Sequence, residues 1–342
     1  MPSDNIANNV THTASASSIQ RQFDTAWVDS QDIRLRTICK DREPRTNELL
    51  HPSNDFYGNA TILKRYAGIK EPYPLRAAIE HGIFLGENFA WNVDLCSPLP
   101  GLITLSNYRR DILKTKTNKS ILAIGPYIHY ASPHMDAASL AKEKERLGRS
   151  VLVFPAHSSH HCLSEYDVDA FCSQLEKHTV GYDSVRICLY WKDVLRGHAS
   201  FYLRRGYECV SAGHMYDHHF LSRLRSYLMQ ADLTVMNSIT TGLGYSIYLN
   251  IPTILIQQTV HYVAASAEST RFMKDITRKE SPALMDVAKV FNEDPIITES
   301  KRQVSNRYWG FECVRKPEQL REWLIAMEHL SDHVNIRTSA PK

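Results

Sequence analysis

LTVMNSITTGLGYSIYLNIPTILI, residues 233–256, sets an apolar run, a patch of small polar residues and a second apolar run one after another. LTVM and IPTILI have the length and β-branched content of strands, and Tyr245 to Leu249 between them reads as a short helix. Asn237, Ser238, Thr240, Thr241, Gly242 and Gly244 fill the turn. At such a turn the N–H groups of the helix's first residues lack intrahelical partners, which suits an anion. Ser, Thr and Gly also make ordinary turns and caps, so a ligand cradle and a plain turn stand side by side. The patch is neither a Gly-Lys-Ser/Thr phosphate loop nor a GxGxxG dinucleotide fingerprint.

The same alternation extends outward. SVLVF (150–154) precedes Val168, Phe171, Cys172 and Leu175 at helical spacing, and SVRICLYW (184–191) repeats the strand signal. Phe220, Leu221, Leu224, Tyr227 and Leu228 then mark one face of a helix leading into LTVM. Strands alternating with helices predict a parallel sheet covered on both faces. PLRAAIEHG (74–82), GLITLS (101–106) and SILAIGPY (120–127) carry the pattern into the first half, less regularly. DAASLAKEKERLG (136–148) reads as a charged helix between the halves, with the hinge between about Ser132 and Ser150. Near the end, Pro317 suits a first helical position, with Leu320, Trp323, Leu324 and Met327 on one face.

The expected fold is α/β: two Rossmann-like doubly wound domains facing a cleft. The expected divisions are a disordered tail over 1–20, an N-terminal domain over 21–140, a C-terminal domain over 141–310, and a terminal helix and tail over 311–342.

Hydrophobic residues make up 43% of the 342 and charged residues 23%, as in folded globular chains. Lys plus Arg is 40 against 37 for Asp plus Glu, so charge gives no case for a nucleic-acid partner. The seven cysteines are scattered and read as reduced core thiols of a cytoplasmic protein. Residues 1–20 are polar, with no apolar signal core, and no run is long enough to span a bilayer. Membrane association is at most peripheral on this reading.

Ligands of open α/β sheets bind where strands end, which selects four places. The turn at 237–244 is one. VFPAHSSHHC is the second: His157, Ser158, His160 and His161 could bind phosphate, transfer protons or, at i, i+4 spacing, hold zinc. No Glu lies between them as in HExxH, and His214 in HMYDHH belongs to another cluster rather than to a defined ligand set, so no metal site is expected. The third is IEHG, where Glu80 beside His81 could deprotonate a hydroxyl. The fourth is IGPYIHYA, with Gly125 and Tyr127 in an aromatic loop that could stack on a sugar or pack an interface.

Taken together, NDFYGNATILKRYAG, IEHG, IGPYIHYA, VLVFPAHSSHH and the stretch 220–256 resemble proteins encoded with bacterial capsule and O-antigen loci. The last stretch is also similar to the donor half of GT-B glycosyltransferases. The resemblance implies a nucleotide-sugar donor in the C-terminal domain and a glycan or lipid-linked glycan acceptor held by the N-terminal one. The implied donor residues are His157, Ser158, Asn237, Ser238, Thr240, Thr241 and Gly242, with Gly125, Tyr127 and His214 as further cleft candidates. Glu80 or His81 is the implied base. No cofactor is needed, the nucleotide-sugar being substrate, and a cytoplasmic location, extending to the inner membrane face, follows. The E-x-seven-E arrangement of retaining members has no counterpart, so inversion is expected. A sugar-nucleotide epimerase of the same architecture and a non-catalytic assembly partner are the alternatives.

Overall fold

The computed structural model describes residues 25–45, 50–276 and 281–338. The tail expected over 1–20 lies outside them. Strands β1 (Ala77–Ile79), β2 (Gly101–Thr104) and β3 (Ser120–Ala123) form a parallel sheet in chain order. A second sheet is built from β4 (Ser150–Phe154), β6 (Ser184–Cys188), β7 (Glu208–Val210), β8 (Leu233–Met236) and β9 (Thr253–Leu255). Its order is β7-β6-β4-β8-β9, all parallel. Val151, Leu152, Val153, Ile187, Leu233, Val235 and Met236 are all buried, which is why these strands read as apolar runs.

The order of the second sheet locates its crevice. From β4 the chain winds outward through β6 and β7, then returns to build β8 and β9 on the other side. The connections therefore diverge between β4 and β8, the point where a doubly wound sheet binds its ligand. Phe154 pairs with Met236, so both strands end level and their following segments emerge together.

The alternation also hid a small antiparallel pair, β5 (Cys162–Glu165) with β10 (His261–Ala264), just beyond the His157 turn. In β10 the residues alternate between exposed and half-buried, with Val263 facing solvent, so it has no buried face of the kind that marks a core strand.

The charged segment forms a helix over Ala137–Leu147, capped by Asp136 and ended by Gly148 at φ 60°. The chain ends cross over. Helix Thr25–Ile38, expected within the 21–140 unit, lies instead against the second sheet, where Val28 and Leu35 join the core of Val151, Trp191 and Leu203. Its short apolar stripe covers the flank of β7 and the helices before it. Helix Pro317–Thr338 packs on the first unit: Leu320 and Leu324 join Leu63, Ala77 and Ile103. Trp323 and Met327 sit over Gly101, where a Cβ would come within 2.8 Å of the indole.

Candidate active site

A cavity of about 180 Å³ lies between the two units at the C-terminal edge of the second sheet. Phe154, Pro155 and His157 line it from the end of β4, Leu189 and Tyr190 from the end of β6, and Thr240, Thr241 and Gly242 from the turn after β8. Tyr57, Asn59, Gly82 and Tyr127 face them from the first unit.

Thr240 is the extended N-cap of helix Thr241–Tyr248, and no side chain caps the helix's first turn. Leu243 N–H bonds the Thr240 carbonyl at 3.1 Å. The N–H groups of Thr241 and Gly242 thus bring the positive end of the helix to the cavity wall. A Cβ at Gly242 would stand 3.4 Å from Thr240 Oγ1 and 3.5 Å from Met236 Cε, ordinary contact that leaves the cavity side open. Gly244 has a different reason. A Cβ there would run into the Trp309 ring, so this glycine serves packing and not ligand approach.

Other members of the turn hold the scaffold. Asn237 is buried; its Oδ1 accepts from Ala156 N–H at 2.6 Å and its Nδ2 donates to Gln258 at 2.8 Å. It ties β4 to β8 and does not line the cavity. Ser238 lies beside Tyr262 and does not line the cavity. Ser158, expected to face the donor, is fully buried: its N–H donates to Asp193 at 3.1 Å and its hydroxyl accepts from Arg196 at 3.0 Å. A strand-end serine with these partners fixes the turn that projects His157.

His157 is the imidazole on the cavity wall, its ring 4.8 Å from that of Tyr190. Burial lowers its pKa, and the nearby Asp193 carboxylate opposes that shift. Near neutral pH the ring is uncharged, able to donate from one nitrogen and accept at the other.

Glu80 cannot serve as the free base expected from IEHG. It is buried, and Arg109 donates to it through Nε at 3.0 Å and through Nη2 at 2.6 Å. Thr104 Oγ1 adds a third donor at 2.8 Å. A carboxylate so fully engaged is a structural anion. His81 lies beside Phe56, ring centroids 4.5 Å apart, behind the Tyr57 that lines the cavity. Burial, and then the neighbouring His161, His160 and His51, push its pKa down to about 3. Its Nδ1 is sealed from solvent with no hydrogen-bond partner among the described residues.

Of the remaining candidates, Tyr127 lines the cavity and donates its hydroxyl to the Glu80 carbonyl at 2.6 Å. Gly125 does not reach it: at φ 78° it faces the Gly310 carbonyl and Val314, where a Cβ would approach to 2.8 Å. His214 is also elsewhere, its ring 4.0 Å from that of Trp191 and its Nε2 3.0 Å from Asp41. His161 stacks on Trp91 at 4.1 Å. The histidine-rich segments are thus spread over different aromatic partners. Among the described residues no group of three or more His, Cys, Asp or Glu side chains could hold a metal ion.

Sequence reasoning passed over Tyr57, Asn59 and Tyr190 as site residues. Tyr190 follows the SVRIC strand, so the strand-end rule could have found it. Asn59 opens a helix after a glycine, a signal easily read as a cap alone.

No protein-family model matches the sequence, and no curated protein matches it. Solved structures do. The wall teichoic acid polymerase TagF is similar over 77% of this chain and 70% of its own, with 12% identity and a TM-score of 0.42. A UDP-GlcNAc 2-epimerase from Neisseria meningitidis, solved bound to UDP-GlcNAc, matches 90% of this chain and 89% of its own at 10% identity and a TM-score of 0.36. Arabidopsis thaliana UGT89C1 matches 92% and 78% at 13% identity and a TM-score of 0.35. Among the described residues no helix is long and apolar enough to cross a membrane.

Proposed function

We propose that the protein is a GT-B-like glycosyltransferase that moves a sugar from a nucleotide-sugar to a surface-polysaccharide acceptor, with inversion and without a metal. The observation that carries the reading is the helix N-terminus at Thr240–Gly242 meeting His157 at the switch point of the second sheet, inside a cavity that the first unit closes. Uncapped N–H groups and a neutral imidazole are donors for a leaving phosphate. Tyr57, Tyr127 and Tyr190 supply aromatic walls of the kind that hold sugar or base.

In this reading the donor phosphate lies against Thr240, Thr241 and Gly242, and His157 is the acid–base group beside it. A phosphate's negative charge raises the pKa of an adjacent imidazole toward working pH. Glu80 and His81 shape the acceptor side from behind, through Tyr127 and Tyr57.

The test is a thermal-shift screen with UDP-, GDP-, CMP- and dTDP-sugars, followed by product analysis with and without a glycan acceptor. Binding to the folded state alone raises the melting temperature. Conversion of the nucleotide-sugar without acceptor would identify an epimerase instead. No shift with any of them, in a folded protein, would leave a non-catalytic partner.

A further inference from the structure

Asn59 presents an unusual combination. It is 1% exposed, yet both Oδ1 and Nδ2 lack a hydrogen-bond partner among the described residues. It lines the same cavity as the turn at Thr240–Gly242. A buried carboxamide left in that condition costs the desolvation of both its groups with no hydrogen bond in return, which points to a partner that the folded chain does not itself supply.

The backbone holds this amide in place. Tyr57 adopts φ 60°, ψ 12°, a conformation disfavoured for a bulky residue, and is fixed by its N–H bond to the Met215 carbonyl and its hydroxyl 3.2 Å from that of Tyr190. Gly58 follows at φ 74°, and any Cβ there would run into the His218 carbonyl. Helix Asn59–Tyr66 starts immediately afterwards, without a side-chain cap, and adds its own positive end to that wall.

A carboxamide offers donors and an acceptor side by side. A phosphate oxygen accepts only, and would leave Oδ1 unmatched. A hydroxyl both donates and accepts, and a polyol or sugar carries several next to one another. We infer that Asn59 is a specificity-determining residue that reads a hydroxyl-bearing group attached to the phosphate at Thr240–Gly242. This rests on the donor reading above, and adds which part of the ligand the first unit recognises.

The test uses the full chain and its Asn59→Leu variant, with Asn59→Ala as a second in case leucine is not accommodated. Calorimetry measures affinity for UDP, GDP and dTDP, and for UDP-glucose, GDP-mannose and dTDP-glucose. The expected result is a loss of about 10- to 100-fold for the sugar conjugate that wild type binds, corresponding to two hydrogen bonds. Affinity for the matching free nucleotide stays within about twofold, and the variant melts no lower than wild type. Equal loss for conjugate and free nucleotide would assign Asn59 to the phosphate and overturn the inference. Unchanged affinity for both would make it a structural residue, with the donor reading intact. If wild type binds neither nucleotides nor conjugates, the donor reading itself falls, and this inference with it.

Discussion

The indole of Trp309 occupies the position over Gly244 that any side chain there would need, and its Nε1 donates to the Thr241 carbonyl at 3.1 Å. Two glycines of one turn therefore have opposite tolerances. Gly244→Ala forces the indole away and should destabilise the fold by about 1–3 kcal/mol in urea unfolding. Gly242→Ala meets only ordinary contacts. It should fold at least as stably as wild type, while its methyl weakens nucleotide binding about tenfold or more. Denaturation and calorimetry on both variants check the pair.

Breaking the Glu80–Arg109 pair leaves a buried guanidinium without its counter-ion. Glu80→Gln should cost about 3–5 kcal/mol of stability, while turnover per folded molecule stays within a few-fold of wild type. A loss of turnover by orders of magnitude in a stably folded variant would restore Glu80 to the chemistry.

His157→Ala and His81→Ala separate the two imidazoles. Acid–base assistance contributes on the order of 10²–10⁴ in rate. His157→Ala should lose turnover by that factor, because this ring lines the cavity. His81→Ala should act mainly through displaced Tyr57, with a smaller effect on kcat than on KM. Steady-state kinetics on both variants decides, and the reverse pattern would place the base in the first unit.

The half-buried His81, with its Nδ1 sealed, also gives stability a pH dependence. Its folded pKa of about 3 lies below the ordinary value of 6.5. Between these the unfolded chain binds the extra proton, so stability falls as pH drops through that window, by at most about 1.4 kcal/mol per unit. Asp94 works the other way: burial, then the nearby Glu80, raises its pKa from 3.8 to about 8. The folded state then holds the extra proton, and stability falls as pH rises through that range. The difference between wild type and His81→Gln cancels the Asp94 contribution. Equilibrium unfolding at pH 7, 6 and 5 should show a gap between the two proteins that narrows as pH falls.

Most of the second sheet was legible in the sequence because β4, β6, β8 and β9 are spelled as largely apolar runs; the edge strand β7, three residues opening on Glu208, carries no such run and was not expected. The position of its crevice followed from the small-residue turn after LTVM. What each polar residue does was less legible. Asn237, Ser158 and Glu80 are polar residues at strand ends, as binding residues would be, but their partners Gln258, Arg196 and Arg109 stand 21 to 38 positions away along the chain. Local pattern cannot distinguish a side chain already engaged from one left for a ligand. The destination of helix Thr25–Ile38 was hidden for a similar reason: its few apolar residues suit either sheet, and tertiary packing alone chooses.

The crossed chain ends bind the halves into one folding problem. A cut between Ser132 and Ser150 would not release two intact units: the N-terminal fragment would carry off the helix that covers β7, and the C-terminal fragment the helix that covers Gly101. Each piece would expose an apolar face that only the other can cover, so separately expressed halves should be insoluble alone and recover structure when co-expressed. The same wiring makes helix Pro317–Thr338 a closing element for the sheet of β1, β2 and β3. On a ribosome, the first unit must wait until this helix, which follows the whole second sheet, has emerged before its core is sealed.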